Sequence, residues 1–408
     1  FVCIDGCSTE PSAALGGATP LAAAKTPNFS RFLADGAATR LLEMPAGPTS
    51  LRPLDWAAWL SGRNDLYARA AAFAALDGGV THSPDDWVLT ARIVSIDHEV
   101  IQPFSSRHAR FAPDADSPES IEKFTARHAV SEAEYEELWA ALREALAPHG
   151  VDIRAPSGDR AVAVARSDKG RAPFSEDTRV TSVDEIVGRS AMDAYPRGPG
   201  ADLLLSWMTE SVAAFESHPV NLRRRSAGLA VATNVWLEGL CHRPTSREPQ
   251  TIAFPSGLGA SETIQLDSSK LAVLSGSAKL RGWANWAAAS SSPLPTLEIP
   301  RPGASRAPRW TEARQLVEAT LARPGVEGVI VHIDAGLVQR AVDAETAVKA
   351  VEWIEALDDA LHPLIAGGAT TSPGSIHVAW SDAAPGPAQG VRPSSPSRGA
   401  RWVSLTTK

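Results

Sequence analysis

The chain has 408 residues, of which 44% are hydrophobic and 21% charged. That is the balance of a folded globular protein and too much chain for one small core, so two domains are expected. A formal net charge of −8 argues against nonspecific binding to nucleic acid or an anionic membrane, while leaving room for a local basic pocket. Cys3, Cys7 and Cys241 are the three cysteines; with no His/Cys cluster beside them they argue against a disulfide framework and a zinc cage, and suit a reducing, cytoplasmic setting. No apolar run approaches the roughly 20 residues that cross a membrane. The opening FVCIDG carries no signal-peptide pattern, and its lack of Met suggests that a few residues were trimmed.

In chain order, "FVCID" is a short apolar run followed by glycine, which predicts a buried parallel strand with its carboxyl end at Asp5. "TPNFSRFLADGA" predicts a helix with Pro27 in its first turn, Phe29, Phe32 and Leu33 on one face, and a stop at Gly36. From about residue 85 the texture changes. "SEAEYEELWAALREALAPHG" predicts a helix opened by a capping box, Ser131 with Glu134, and closed by Pro148 and Gly150. "VDIRA" and "RAVAVAR" alternate like half-exposed strands. These place an inserted α+β domain at 85–185, with the core built from 1–84 and 186–408.

The α/β texture then returns with a helix around Leu203–Phe215, the strand "KLAVLSG" and the helix "RWTEARQLVEATLA". "GVIVHI", the helix "ETAVKAVEWIEALDDAL" and "SIHVAWS" complete the series. In the long helix Val348, Val351, Ile354 and Leu361 recur at helical spacing and predict the core stripe. A Pro/Gly/Ser-rich loop, "SDAAPGPAQGVRPSSPSRGA", follows.

Ligands of doubly wound sheets sit at the carboxyl ends of strands, which singles out Asp5, His332 and Asp334 and the loops around 46–55 and 366–375. Taken alone, Asp5 is a metal ligand or a loop cap, and His332 is a ligand or a satisfied core residue. These loops carry too few oxygen and nitrogen donors for a divalent-metal hydrolase. Arg223, Arg224 and Arg225 follow His218 and Asn221, and arginine forks suit carboxylate or phosphate. One helical turn cannot aim three consecutive arginines the same way, so at most two face a ligand. The twelve tryptophans, Trp283 and Trp286 among them, read as core or interface anchors.

His218-Pro219-Val220-Asn221, Arg225, Gly228 and Thr233-Asn234, together with the opening "IDGCSTEP…TPLAAAKTPNFSRFLADGA", resemble the archaeal-type cofactor-independent phosphoglycerate mutases of the alkaline phosphatase superfamily. The resemblance implies an α/β fold: an alkaline-phosphatase-like core with a mostly parallel sheet flanked by helices, plus an inserted α+β lid domain. It also implies two divalent ions, commonly manganese, and a serine nucleophile. Only Asp5 matches that set. The nucleophile serine falls at Pro53, Leu54 or Asp55; two ligand positions fall near Leu337 and Ala341, and an Asp-His pair at Gly367 and Gly368. The last histidine has no clear match, although His377 lies nearby.

The expected protein is therefore a repurposed, metal-independent relative that acts on a small anionic metabolite, phosphorylated, sulfated or carboxylated, in bacterial biosynthesis. It is expected to need no cofactor and to bind neither nucleic acid nor membrane. Asp5, Asp55, His332 and Asp334 are its acid–base candidates. Arg52 and Arg69, which match family arginines, join His218, Asn221 and Arg225 as its substrate contacts. The alternative is a non-catalytic pseudoenzyme that binds a metabolite or a protein partner; homo-oligomerisation is left open. An active metal-dependent mutase ranks third, because three separate ligand loops would all have to be misread.

Overall fold

The structure is a computed structural model. It describes residues 1–8, 11–34, 38–44, 52–83, 85–104, 130–166, 174–186, 189–242, 249–255, 263–293, 307–334, 344–365, 375–382 and 398–406. The chain divides into two compact units, Phe1–Tyr67 with Ser246–Lys408, and Ala68–Thr245.

The first unit is built on a seven-stranded sheet. Its order is Ser290–Pro293, Leu271–Ser275, Gly328–Asp334, Val2–Ser8, Ser375–Asp382, Arg398–Thr406, Ala38–Met44. The first five strands in that order are parallel, and the last two pair antiparallel at one side. Val2–Ser8 sits at the centre and runs past Asp5 to Ser8. Its apolar composition follows from that position, since an inner strand of a parallel sheet is covered on both faces. On one face Val2, Ile4, Ala272, Leu274, Val329, Val331 and Ile333 form a core with Ala313 and Val317 of the Ala307–Leu321 helix, and with the Ala344–Ile365 helix.

The long helix uses only part of the stripe read for it, Ile354 being buried and Val348 exposed. Ala347, Ala350, Trp353, Ile354, Ala356 and Leu357 are the buried apolar residues described, while Val348 is 47% exposed and Val351 half-buried; Leu361's side chain lies outside the described residues. Small alanines let the helix approach the sheet closely, so the contact face is defined by Ala and Trp rather than by the β-branched residues. Asp358, on the same helix and fully buried, caps the Pro27–Ala34 helix. Its carboxylate accepts from the backbone N–H of Asn28 (3.0 Å) and Phe29 (2.7 Å) and from the Asn28 side chain (3.0 Å). Those are helix-start donors with no intrahelical partner, and a carboxylate there also opposes the positive end of the helix dipole.

The second unit holds a sheet ordered Val100–Pro103, Trp87–Asp97, Arg160–Ala165, Val151–Ser157, with Asn234–Cys241 also antiparallel to Trp87–Asp97. The Glu132–Leu146 helix has the expected box: Ser131 Oγ accepts from Glu134 N–H, and Glu134 accepts from Ser131 N–H at 2.8 Å. Gly150 turns the chain in a left-handed conformation. Two readings change here. Arg160–Ala165 is covered on both faces rather than half-exposed: Ala161, Ala163 and Ala165 enter the main core, and Val162 and Val164 pack under Ala71, Ala72 and Ala75. The unit is also wider than 85–185. The Ala201–Glu216 helix contributes Leu204, Trp207, Met208 and Phe215 to its core. Amphipathic texture shows that a helix covers a sheet but not which sheet.

Because Ala350 faces the core and Val348 faces outward, Val348→Asp is expected to change stability by about 0.5 kcal/mol or less. Ala350→Asp, which buries an unpaired charge, should cost about 3 kcal/mol or more. Denaturant unfolding of the two variants checks the assignment.

Candidate functional site

In the first unit the carboxyl ends of the central strands come together by register. Asp5 pairs with Asp334 and Cys3 with His332, while His332 is also level with Ser275 on its other neighbour. Strand alternation turns His332 away from the face filled by Val331 and Ile333, toward the side of the Arg52–Ser61 and Ala278–Trp286 helices. His332 is 1% exposed, and its Nδ1 lies 3.0 Å from the hydroxyl of the equally buried Ser275. Ser275 Oγ accepts from Ser277 N–H (3.0 Å), Ser277 Oγ caps the Ala278–Trp286 helix at Leu280 N–H, and an Arg281 N–H donates to Ser275 O (2.8 Å). Strand, turn and helix start are thereby tied to the imidazole. Sequence reasoning singled out His332 and passed over Ser275, Ser277 and Arg281. The signal was there: "LSGSAKL" is a strand end running into a Ser N-cap.

Asp55 lies in the first turn of the Arg52–Ser61 helix, 4% exposed, and accepts from the Tyr67 hydroxyl at 2.6 Å. Leu54, Trp56, Ala57 and Leu60 hold that turn in the core. Arg63 pairs with Asp65 through Nε (2.9 Å) and Nη2 (2.8 Å), and its guanidinium lies 5.0 Å from the Trp286 ring centre. The side chains of Asp5, Asp334 and Arg52, and the stretches holding Leu337, Ala341, Gly367 and Gly368, lie outside the described residues. Arg69 follows Tyr67 in the other unit, half-buried.

The second unit reassigns the His-Pro-x-Asn run. His218 is the N-cap of the eight-residue Pro219–Ser226 helix and accepts from Val220 N–H at 3.3 Å. Burial outweighs the opposing pull of Glu137 and, with a smaller push from the Arg223 charge, holds the imidazole's pKa below its usual value. The Asn221 amide is spent inside the fold: it donates to Phe215 O (2.7 Å) and Ala232 O (2.6 Å) and accepts from Ala232 N–H (2.9 Å). Those bonds fasten the helix to the backbone at Phe215 and Ala232. Arg225 is exposed, and the buried arginine is its neighbour Arg224. Arg224 donates to Ala230 O (2.7 Å), pairs with Glu134 (3.3 Å) and covers the Phe104 ring. Burial raises the Glu134 pKa, but the Ser131 N–H bond and the Arg224 charge outweigh it and hold the carboxyl below its ordinary value.

Two dications require a converging set of carboxylates and imidazoles. Among the described residues no three His, Cys, Asp or Glu side chains gather as a metal cluster.

A layered α/β core with a largely parallel sheet, and a second unit inserted in its sequence, defines an alkaline-phosphatase-like fold. Among solved structures, the protein PH0037 from Pyrococcus horikoshii superposes with a TM-score of 0.55 at 15% identity, covering 99% of this chain and 86% of that one. The chain resembles the 2,3-bisphosphoglycerate-independent phosphoglycerate mutases, whose family model matches residues 65–221. The mutase of Methanosarcina acetivorans is 26% identical over 261 residues, 62% of this chain and 57% of that protein. Mutase 2 of Methanothermobacter thermautotrophicus is 28% identical over 254 residues, 60% and 54% respectively. A probable mutase of Geobacter sulfurreducens is 25% identical over 236 residues. The matched region spans about half the length of these curated relatives. No helix among the described residues is long and apolar enough to cross a membrane.

Removing the Asn221 amide strands the buried N–H and C=O of Ala232 and takes one of the bonds of Phe215 O, which keeps His218 N–H, so Asn221→Ala is expected to cost about 2–4 kcal/mol, whereas exposed Arg225→Ala should stay within about 0.5 kcal/mol. Glu134's lowered pKa contributes stability that is present above the ordinary carboxylate value and is lost as pH falls through the folded value. Glu134→Gln should therefore lower stability at neutral pH and flatten the acid limb of the melting profile.

Proposed function

We propose that this chain is a mutase-derived protein repurposed to act, without a metal pair, on a small anionic metabolite carrying a phosphate, sulfate or carboxylate. The observation that carries the reading is the polar row at the carboxyl ends of the central strands, where His332 is held by Ser275 and Asp5 stands opposite Asp334. That is where open α/β sheets bind ligands. Asp5, Asp55, His332 and Asp334 are the acid–base groups of this reading. Positively charged side chains take over the electrostatic work of the cations: Arg52, with Arg281 now added on the same unit. Arg69, His218, Asn221 and Arg225 are kept as proposed anion contacts of the second unit, taken by itself. Bacterial biosynthesis is the setting proposed for the reaction.

The burial of His332 at 1% exposure favours a second reading, in which the imidazole is a sealed structural group and the protein binds without catalysis.

Melting the chain with phosphate, sulfate and 3-phosphoglycerate, each with and without EDTA, tests the proposal. A ligand at about a hundred times its Kd should add about 2.7 kcal/mol and raise Tm by a few degrees, whether or not EDTA is present. An anion-induced rise that vanishes with EDTA would contradict metal independence. Indifference to every anion would leave only the non-catalytic reading.

A further inference from the structure

The second unit contains a cavity of about 340 Å³ that plays no part in the site above. It arises from how the sheet is covered. The Ala70–Asp77 helix lays Ala71, Ala72 and Ala75 on Val88, Val162 and Val164. Eight residues rise only about 12 Å. The helix ends where Gly78 meets the edge strand, close enough that a Cβ there would fall 2.8 Å from that of Ala155. The chain then turns through Gly79, whose φ is +64°, and residues 81–83 pass beside the uncovered part of that strand. Register places Asp152 opposite Val164 and Arg154 opposite Val162, on the face the helix covers elsewhere. Among the described residues the cavity is thus a gap in the helical layer, lined by Thr81, His82, Ser83, Asp152, Arg154 and Arg166, with Asp86 and Val164 completing it.

Three features give this gap a chemical character. Asp152 holds both guanidinium groups, accepting from Arg154 at 2.5 Å and from Arg166 at 3.5 Å. One carboxylate therefore orients two arginines and leaves other N–H donors of each for a ligand. The Arg154 hydrogen bond is the main reason that the Asp152 carboxyl is held below its ordinary pKa, so it stays charged as an anchor. The second feature is His82. Its Nδ1 lies 3.0 Å from Ser83 O; a carbonyl only accepts, so Nδ1 carries a proton, and in the Nδ1–H tautomer Nε2 offers a lone pair. Nε2 is buried and has no hydrogen-bond partner among the described residues, a condition that costs a folded protein unless something donates to it. The third is the balance of charge. Arg154 and Arg166 face Asp152 and Asp86, and Asp86 itself accepts from Ser83 N–H at 2.8 Å. Recognition here rests on directional hydrogen bonds rather than on a net field.

We propose that this cavity binds a small oxyanion that also carries a hydroxyl, its oxygens on the Arg154 and Arg166 donors and its O–H donating to His82 Nε2. A hydroxycarboxylate and a hydrogen phosphate share that chemistry. The site lies wholly within the second unit and does not depend on the function proposed for the strand ends.

Isothermal titration of the full chain with malate, succinate and inorganic phosphate at constant ionic strength tests it. Saturable binding of malate or phosphate is expected, and which of the two binds more tightly identifies the source of the oxyanion. The Arg154→Ala/Arg166→Ala double variant changes exposed side chains and should keep its Tm while weakening that binding at least tenfold. Succinate, which lacks the hydroxyl, should bind at least tenfold more weakly than malate, because a site that hydrogen-bonds an O–H rejects the analogue without one. His82→Phe should erase that preference. Binding undiminished in the double variant would place the anion elsewhere, including at the strand ends of the first unit, and overturn the proposal. So would the absence of saturable binding by malate and phosphate, or equal affinity for malate and succinate.

Discussion

The pairing of Val2–Ser8 with strands more than 300 residues away organises the first unit. Parallel strands cannot be joined by a tight turn, so this pairing closes very long loops, a large entropic cost that only extensive burial offsets. Both faces of the strand are covered, and its neighbours Gly328–Asp334 and Ser375–Asp382 are fixed in register. The same register sets the chemistry. It brings Asp5 level with Asp334 and puts His332 between Cys3 and Ser275. A one-residue slip would send His332 into the hydrophobic face and break its bond to Ser275.

Much of this was legible in the sequence, and the reasons differ by element. The central strands announce themselves as short apolar runs ending at Gly or Asp, and the capping box at Ser131 fixes a helix start by local hydrogen bonding alone. The core face of the long helix was legible only at Ile354, because valine and alanine are both apolar and only the sheet's geometry selects the alanines. Nor could composition show that the Ala201–Glu216 helix and the Asn234–Cys241 strand belong to the second unit, since that depends on pairing across the chain with Trp87–Asp97.

The candidate site divides the same way. His332 and Asp334 follow from a strand-end rule, and His332 proves to be tied to Ser275. The arginine run shows the limit of reading charge as function. Three consecutive arginines point in different directions, and the one directed inward, Arg224, is engaged with Glu134, Ala230 and the Phe104 ring. Asn221, in the most distinctive motif of the chain, fastens the Pro219–Ser226 helix to the strand that follows. A motif shared with a family of enzymes can persist because it folds the chain, independently of any substrate.

The account turns on electrostatics at the carboxyl ends of the central strands. A strand-end site that held two dications would need enough donors to replace their hydration; the proposed alternative lets hydrogen bonds and arginines do the work. Crystals of the protein soaked in manganese and measured at the manganese absorption edge decide between these. The account predicts no anomalous peak near Asp5 and Asp334; a pair of peaks there, about 3.5–4 Å apart as in two-metal sites, would contradict it.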